Sequence, residues 1–436
     1  MSYFHLNFIL KGKLTVCCLL MLSVMPLNAQ REAKQIGDFK ESISLNEHLR
    51  GTKRTLQYRP DGDEFVCVNG KNRYTRALYG SHSPFRVETS DRPVFAFYNN
   101  GRGGNISFKV ILRDGTELAL DCTGHCESRY SAGKRTYYLT DPSWGKGELR
   151  ISVLALADMD GAIWRFSPSN MPKGAILRWQ HGGATGKRLS RNGDMGVDPV
   201  DCFELPVEAT DLVTGELPLQ KEVYLVRGEV PEDYNVRKLY QQAEAASLAL
   251  ASHLKIETPD PYLNTLGGAL VAAADGIWDG QVWLHGAIGW RMPLSGWRAG
   301  YTGDALGWHD RARTHFDAYA ASQVTDVPNT IPHPAQDSTM NLARSEKRWG
   351  TPQYSNGYIC RNPERNNQMH HYDMNLCYMD ELLWHFNWTG DTAYVRKMWP
   401  VITRHLAWEK LNYDPDNDGL YDAYACIWAS DALYYN

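Results

Sequence analysis

The spacing of apolar residues changes near residue 232, and this change constrains the fold more than any other feature. Before it, segments such as FRVETSDRPVFAFY and GNISFKVILRDGTELALD alternate apolar and polar residues between Asp-Gly and Gly-Gly turns, which is typical of antiparallel strands. After it, EDYNVRKLYQQAEAASLALASHL places Leu239, Ala243, Ala246 and Leu250 at helical spacing. Strands followed by helices predict an α+β multidomain chain whose strands form an antiparallel β-sandwich.

The same patterns predict where the segments of the chain begin and end. We predict a signal peptide at 1–29, a β-sandwich domain at 30–231, a linker helix at 232–258 and a helical domain at 259–436. Within the helical domain, helices are expected at about 260–277, 304–323, 371–387 and 391–411, with a weaker one at 336–348 and another starting at 430. The NWTGD segment predicts a short turn between two of these helices.

The N-terminus has the pattern of a secretory signal. Lys11 and Lys13 precede the apolar run Leu14–Met25, and Ala29 is a suitable small residue before a cleavage site. The run is too short to cross a bilayer of about 30 Å as a helix. We therefore expect a secreted or periplasmic protein that has no membrane attachment after the signal is cleaved.

The amino-acid composition argues against nucleic acid as a binding partner and is compatible with sugars. The net charge is -4 and both signs are scattered, so the sequence lacks the basic stripe that binds nucleic acid. Fourteen Trp and 24 Tyr supply many flat rings, which stack on sugar faces as readily as they fill cores. The three long loops 278–303, 349–370 and 412–429 carry many of these rings, and each precedes a predicted helix N-terminus. We expect a binding site where such loops meet.

One stretch resembles a known family. HYDMNLCYMDELLWHFNWTGDTAYVRKMWPVITRHLAWEKLNYDPDNDGLYDAYACIWASD is similar to the helix, TGD turn, helix, acidic-Gly loop and Trp-x-Ser-Asp arrangement of six-hairpin glycosidases. TRALYGSHSPFRVETSDRPVFAFY also resembles an uncharacterised bacterial branch of that superfamily. The resemblance implies a sandwich, a linker helix and then a partial (α/α)6 toroid.

The resemblance also implies one pocket around the N-termini of the inner helices. It assigns three candidate catalytic carboxyl groups: Asp431, Asp304 and Asp373. It also assigns the candidate substrate-binding residues Trp297, Arg298, Tyr301, Trp308, His371, Tyr372 and Trp428. Glycoside hydrolysis needs two carboxyl groups, separated by about 6.5 to 9.5 Å in inverting enzymes. Asp431 is the preferred acid because the ring of Trp428 favours a protonated carboxyl group.

Each of these residues also has a purely structural explanation. The three aspartates each stand near a predicted helix start, where an N-cap or a first-turn charge needs no further function. Arg298 suits either a uronic acid carboxylate or a structural ion pair. His371 follows another histidine, and adjacent helical side chains diverge, so one polar pocket residue is favoured over a joint metal site.

An aspartate repeat near the C-terminus raises the question of calcium. Asp414, Asp416, Asp418 and Asp422 match positions one, three, five and nine of an EF-hand loop. Position twelve, where a bidentate Glu closes such a site, is Ala425. A solvated turn is therefore favoured, calcium stays open, and no other cofactor is expected.

Together these features predict a glycoside hydrolase that acts on oligo- or polysaccharide side chains, exo-acting and inverting. The alternatives are a polysaccharide lyase that uses Tyr372 and His371 for proton abstraction, and a carbohydrate-binding remnant without catalysis. About five helices of a twelve-helix toroid are predicted, and the sequence ends inside another. We therefore expect a fragment of a longer protein, with the second catalytic carboxylate after residue 436.

Overall fold

The structure is a computed structural model that describes residues 57–99, 102–188, 212–231, 233–287, 291–296, 298–328, 355–364, 374–414 and 417–420. From Tyr58 onward, the described residues belong to one compact unit. The predicted signal peptide, the weaker helix at 336–348 and the helix starting at 430 lie outside the described residues.

The first part of the described chain consists of strands. Their bounds are β1 Arg59–Asp61, β2 Glu64–Val68, β3 Arg76–Leu78, β4 Arg86–Thr89, β5 Phe95–Asn99, β6 Arg102–Ile111, β7 Glu117–Ala119, β8 His125–Ser131, β9 Lys134–Thr140, β10 Glu148–Ala155, β11 Gly161–Ser169, β12 Ile176–Arg188, β13 Val213–Pro218 and β14 Val223–Gly228. One sheet has the order β1-β2-β8-β9-β10-β11-β14, and the other β13-β12-β6-β5-β4-β3 with β7 beside β6. The registered pairs are antiparallel, for example Ile151 with Phe166 and Ile176 with Ile111.

The two sheets enclose an aromatic core. Phe95 and Phe108 of the second sheet contact Tyr137, Trp164 and Phe166 of the first, with ring centroids 5.1 Å apart for Phe108 and Phe166 and 5.7 Å apart for Phe95 and Trp164. Most of these contacts are edge-to-face, the geometry that aromatic quadrupoles favour. The predicted antiparallel, sandwich-like arrangement is therefore confirmed.

Alternation along single strands explains why the sequence folds this way. In β8, Cys126, Ser128 and Tyr130 are buried, while the residues between them are at least partly exposed. Successive side chains of a strand point to opposite faces, so this pattern buries one face and leaves the other toward solvent.

Six α-helices follow within the described residues. They are α1 Val236–Ala251, α2 Pro261–Gly276, α3 Gly300–Ala305, α4 His309–Ala320, α5 Met374–Thr389 and α6 Thr392–Tyr413, and two short 3₁₀ turns occur earlier at Leu120–Cys122 and Pro142–Trp144. The order of strands and then helices confirms the α+β class. None of the helices among the described residues is both long and apolar enough to cross a bilayer.

One helix prediction was wrong. Residues 304–323 were predicted as a single helix, but the chain forms α3 and α4 with a break between Ala305 and His309. Gly307 adopts a φ of 73°, which ends a right-handed helix, and the backbone N–H of Trp308 donates to Gly303 O at 2.7 Å. Asp304 consequently lies in the last turn of a short helix and not at a helix start.

The linker helix α1 packs on the outer face of the first sheet. Its buried residues Leu239, Tyr240 and Ala243 contact Leu154 and Ile163. The Asn235 side chain accepts the backbone N–H of Lys238 at 3.0 Å, which caps the helix where its N–H groups lack partners.

A second core lies between α4, α5 and α6. Phe316, Tyr378, Leu382 and Ile402 are buried together with Trp283 from the preceding loop. The turn predicted from NWTGD is confirmed: Gly390 has a φ of 61°, and Asp391 accepts the backbone N–H groups of Ala393 and Tyr394, which start α6. This core positions the N-terminal half of α5 beside α3.

Candidate active site

An open pocket of about 560 Å³ lies where the loop before α3 meets the first turns of α5. Its lining residues are Arg298, Tyr301, Leu376, Cys377 and Asp380. Arg298 and Tyr301 were predicted as substrate-binding residues, and the structure brings them together. The lining offers a cation, a phenol, a carboxylate and an apolar wall, which suits a polar ligand that also has an apolar face.

Glycines allow the loop and α3 to approach α5 this closely. A Cβ atom at Gly296 would overlap the backbone oxygen of Met374, and one at Gly300 would overlap Oε2 of Glu381. Both glycines belong to the segment GWRAGYTGD, so the pocket depends on small residues that sequence periodicity does not reveal.

Arg298 has an unusual backbone conformation. Its φ is 62°, a left-handed value that a long side chain rarely adopts because of crowding around its Cβ atom. Strained residues of this kind persist where the surrounding packing fixes them, and they concentrate at functional sites. Arg298 thus contributes a cationic side chain to the pocket lining from a strained backbone position.

Tyr301 and Asp380 form the polar centre of the pocket. The phenol of Tyr301 donates a hydrogen bond to Oδ2 of Asp380. Burial, followed by this hydrogen bond and the nearby carboxylate charges, raises the pKa of Tyr301. Tyr301 therefore keeps its proton at neutral pH and holds Asp380 as a hydrogen-bond acceptor with a fixed orientation.

Glu381 lies behind the pocket lining. Its side chain is fully buried, and its oxygens face the backbone N–H groups of Arg298 and Gly300. Burial raises the pKa of Glu381 to about 8, while the backbone N–H groups of Arg298 and Gly300 and the charge of Arg298 oppose the shift. The group is therefore an uncharged acid at neutral pH, one position along the helix from the exposed carboxylate of Asp380.

Asp304 has a different environment from the one the sequence predicts. Its carboxyl group is buried, and Nδ1 of His385 lies 2.9 Å from both oxygens. Nδ1 of the partly exposed His309 lies 2.7 Å from Oδ1. These contacts tie α3 to α4 and α5, and Asp304 does not belong to the pocket lining.

Trp308 also lies away from the pocket lining. The guanidinium carbon of Arg311 is 4.4 Å from its ring centroid, and the His253 ring packs edge-on at 5.5 Å. Arg311 in turn pairs with Asp275 at 2.7 Å. Trp308 thus packs within a contact between α2, α4 and the end of the linker.

The described part of the aspartate repeat forms a turn. Asp414 accepts the backbone N–H of Gly419 at 3.2 Å, and Asp418 accepts that of Leu420 at 2.7 Å. Gly419 has a φ of 84°, as expected for an Asp-Gly turn. Among the described residues, no three His, Cys, Asp or Glu side chains are grouped as a metal site. Calcium binding remains a prediction.

The other predicted site residues lie outside the described residues. They are Trp297, His371, Tyr372, Asp373, Asp416, Asp422, Trp428 and Asp431. Trp297 precedes Arg298 in the sequence, and Asp373 directly precedes α5.

Sequence reasoning missed four residues of this region. They are Leu376, Cys377, Asp380 and Glu381. The adjacent acids in YMDELLW were the available signal, because neighbouring helical side chains diverge and one of two carboxyl groups beside so many apolar residues can fall on the buried side. In the sequence analysis, only the residues just before α5 were assigned a role, on the basis of the family resemblance.

Comparison with known proteins concerns the sandwich alone. Residues 100–229 match a family described as a domain of unknown function, DUF4450. The matched segment contains strands β6 to β14, less than a third of the chain, and none of the pocket residues. No curated protein matches the chain at a significant level.

Proposed function

We propose that this chain is a secreted or periplasmic glycoside hydrolase that cleaves O-glycosidic bonds in polysaccharide side chains. The observation that carries the proposal is the pocket in which Arg298, Tyr301 and Asp380 meet. A cation and an oriented carboxylate can together bind vicinal sugar hydroxyls, and the apolar side of Leu376 can receive the CH face of a sugar ring.

Within this proposal, Asp380 contacts the sugar as an acceptor held by Tyr301. Asp431 remains the proposed general acid and Asp373 its substitute, both on sequence grounds. Asp304 is a poor candidate for the acid, since its carboxyl group is buried and two histidines contact it. The expected course is inversion, with the base activating a water molecule.

The proposed (α/α)6 toroid has support from local geometry. α5 and α6 are joined by a turn of two residues, as in an αα-hairpin, and the pocket lies at the N-terminal half of α5. The family resemblance also implies a site at the N-terminal end of this helix, α5. The predicted signal peptide supports export.

One observation favours the lyase alternative. Elimination from a uronic acid requires a cation against the carboxylate and a group that moves the proton, and Arg298 and Tyr301 line one pocket. The raised pKa of Tyr301 opposes this, because the phenol resists acting as a base at neutral pH.

Product analysis with a panel of plant and host oligosaccharides separates the alternatives. A hydrolase releases reducing sugars without a rise in ultraviolet absorbance, whereas a lyase leaves an unsaturated, absorbing product. We expect reducing sugars only. Proton NMR of the early product should show the anomeric configuration opposite to that of the cleaved bond. An unsaturated product, binding without turnover in calorimetry, or neither binding nor turnover would each overturn the hydrolase assignment.

A further inference from the structure

Two tryptophans on the outer side of α5 are exposed and have no part in the pocket chemistry described so far. The side chains of Trp384 and Trp388 are 51% and 57% exposed. Single apolar residues on a surface need no explanation, but a continuous row of large ones often marks a binding surface. The question is whether these two rings belong to such a row.

Helical spacing connects the two rings to the pocket. The exposed residues of α5 follow one another at intervals of one, three or four, so they lie along one side of the helix. We call this row the α5 stripe, and its members are Leu376, Asp380, Leu383, Trp384, Asn387 and Trp388. Leu376 and Asp380 also line the pocket. The stripe therefore starts in the pocket and continues along α5 toward its C-terminus.

The distances along the stripe suit an extended ligand. Trp384 lies four residues after Asp380, or about 6 Å along the helix axis, and Trp388 lies about 12 Å after Asp380. A ligand confined to the pocket would leave both rings uncovered. A chain of linked units that starts in the pocket can cover them one after the other.

The side chains of the stripe indicate the chemistry of that ligand. The indole rings offer flat apolar faces, and the carboxylate of Asp380 and the amide of Asn387 offer hydrogen-bonding groups between them. Linked sugars present the same combination of CH faces and hydroxyl groups. Nucleic acid would need cations, which the stripe lacks. A partner helix would favour an unbroken apolar seam, which Asp380 and Asn387 interrupt.

We propose that the α5 stripe is an extended binding site for an oligosaccharide chain. One sugar unit occupies the pocket, the next stacks on Trp384, and a third stacks on Trp388. The preferred ligand is therefore a chain of at least three units and not a single sugar. The unit in the pocket rests on the proposed function, whereas binding along the stripe can be measured without hydrolysis.

The dependence of affinity on chain length tests this proposal. Thio-linked gluco-, xylo- and galacto-oligosaccharides of one to four units, which resist hydrolysis, are titrated into the full-length protein by calorimetry. In the parent, Kd should fall by about 2- to 10-fold with each of the second and third units, the range that one aromatic contact supplies. A fourth unit should add nothing.

Variants of the two rings locate the effect. Trp384→Ala should remove the gain from the second unit and Trp388→Ala the gain from the third, while Kd for a single unit stays unchanged. Trp384→Tyr should recover much of the lost affinity, because a smaller ring can still stack. Trp399 on α6 is also 57% exposed but is not in the stripe, so Trp399→Ala should leave each Kd unchanged.

Several results would overturn the proposal. They are no binding of any of these oligosaccharides, a Kd that does not depend on chain length, or equal losses in the Trp384, Trp388 and Trp399 variants. A dimer in sedimentation that Trp384→Ala dissociates would assign the stripe to a second copy of the chain instead. Hydrolysis with a length-independent Kd would overturn only this inference, whereas length-dependent binding without hydrolysis would overturn only the proposed function.

Discussion

The sandwich and the helical part of the chain each bury a carboxyl group, but they compensate it differently. In the sandwich, Oδ1 of Asp91 lies 3.7 Å from Nη2 of Arg135, and Oδ2 accepts the backbone N–H of Asn72 at 2.9 Å. Both Asp91 and Arg135 are completely buried, and the phenol of Tyr58 also donates to Asp91. In the helical part, Glu381 is fully buried against the backbone N–H groups of Arg298 and Gly300, and burial still raises its pKa to about 8.

The difference indicates what each region is built for. A buried carboxylate with a cation and several donors stabilises one arrangement of strands. A carboxyl group that burial keeps protonated costs stability when it ionises, and Glu381 lies behind a pocket and a strained arginine. The sandwich therefore has the character of a scaffold, and the site is concentrated in α3, α5 and the loop before them.

The largest expected effect comes from breaking the compensated pair. Arg135→Ala should lower the free energy of unfolding by about 3 to 5 kcal/mol, because it leaves Asp91 buried without its cation. Urea unfolding measures this. Arg178, whose side chain is 38% exposed in its pair with Glu216, is the matched control, and Arg178→Ala should cost about 0 to 1 kcal/mol. Equal losses would remove the distinction between the pairs.

Glu381 should make the free energy of unfolding depend on pH, because its pKa differs between the folded and the unfolded protein. The folded pKa of Glu381, about 8, lies above the unfolded value of about 4.3, so its protonation stabilises the fold fully below about pH 4. That contribution is lost as pH rises to about 8. The unfolding free energy of Glu381→Gln relative to the parent should therefore rise by about 4 kcal/mol over this range.

Denaturant unfolding at a series of pH values checks this difference. The difference in unfolding free energy between Glu381→Gln and the parent should be constant above the pKa of Glu381 in the folded protein. A difference that does not change with pH would mean that Glu381 is charged or solvated in the folded protein.

A smaller effect tests the packing between the two regions of the site. Gly300→Ala should cost about 1 to 3 kcal/mol, because the new methyl group overlaps Oε2 of Glu381. The double variant with Glu381→Ala should lose less than the sum of the two single changes. Thermal unfolding gives the comparison, and strict additivity would show that the two side chains do not meet.

Sequence patterns predict the sandwich better than they predict the candidate site. The sandwich follows from alternation within single strands, as in β8, where each residue's neighbours set its face. The TGD turn is equally local, since Gly390 supplies the left-handed backbone and Asp391 caps α6. Such signals are contained in a few adjacent residues.

The site depends on contacts between distant residues. Arg298 and Tyr301 were predicted, but their neighbours Asp380 and Glu381 reach them only because Gly296 and Gly300 let two segments touch. The break at Gly307 was missed because apolar spacing continues across it, whereas a single left-handed residue ends the helix. Tertiary contacts decided the first outcome, and the backbone conformation of one residue decided the second.

The central claim is that the pocket beside α5 carries the activity, and one comparison tests it most directly. Asp380→Asn is compared with Asp310→Asn, an exposed aspartate in the first turn of α4 outside the pocket lining, on the oligosaccharide that the parent hydrolyses. We predict that kcat/KM falls by about 100-fold or more for Asp380→Asn, since it removes an oriented carboxylate, and that it is unchanged for Asp310→Asn. Full activity in a folded Asp380→Asn protein would contradict the account.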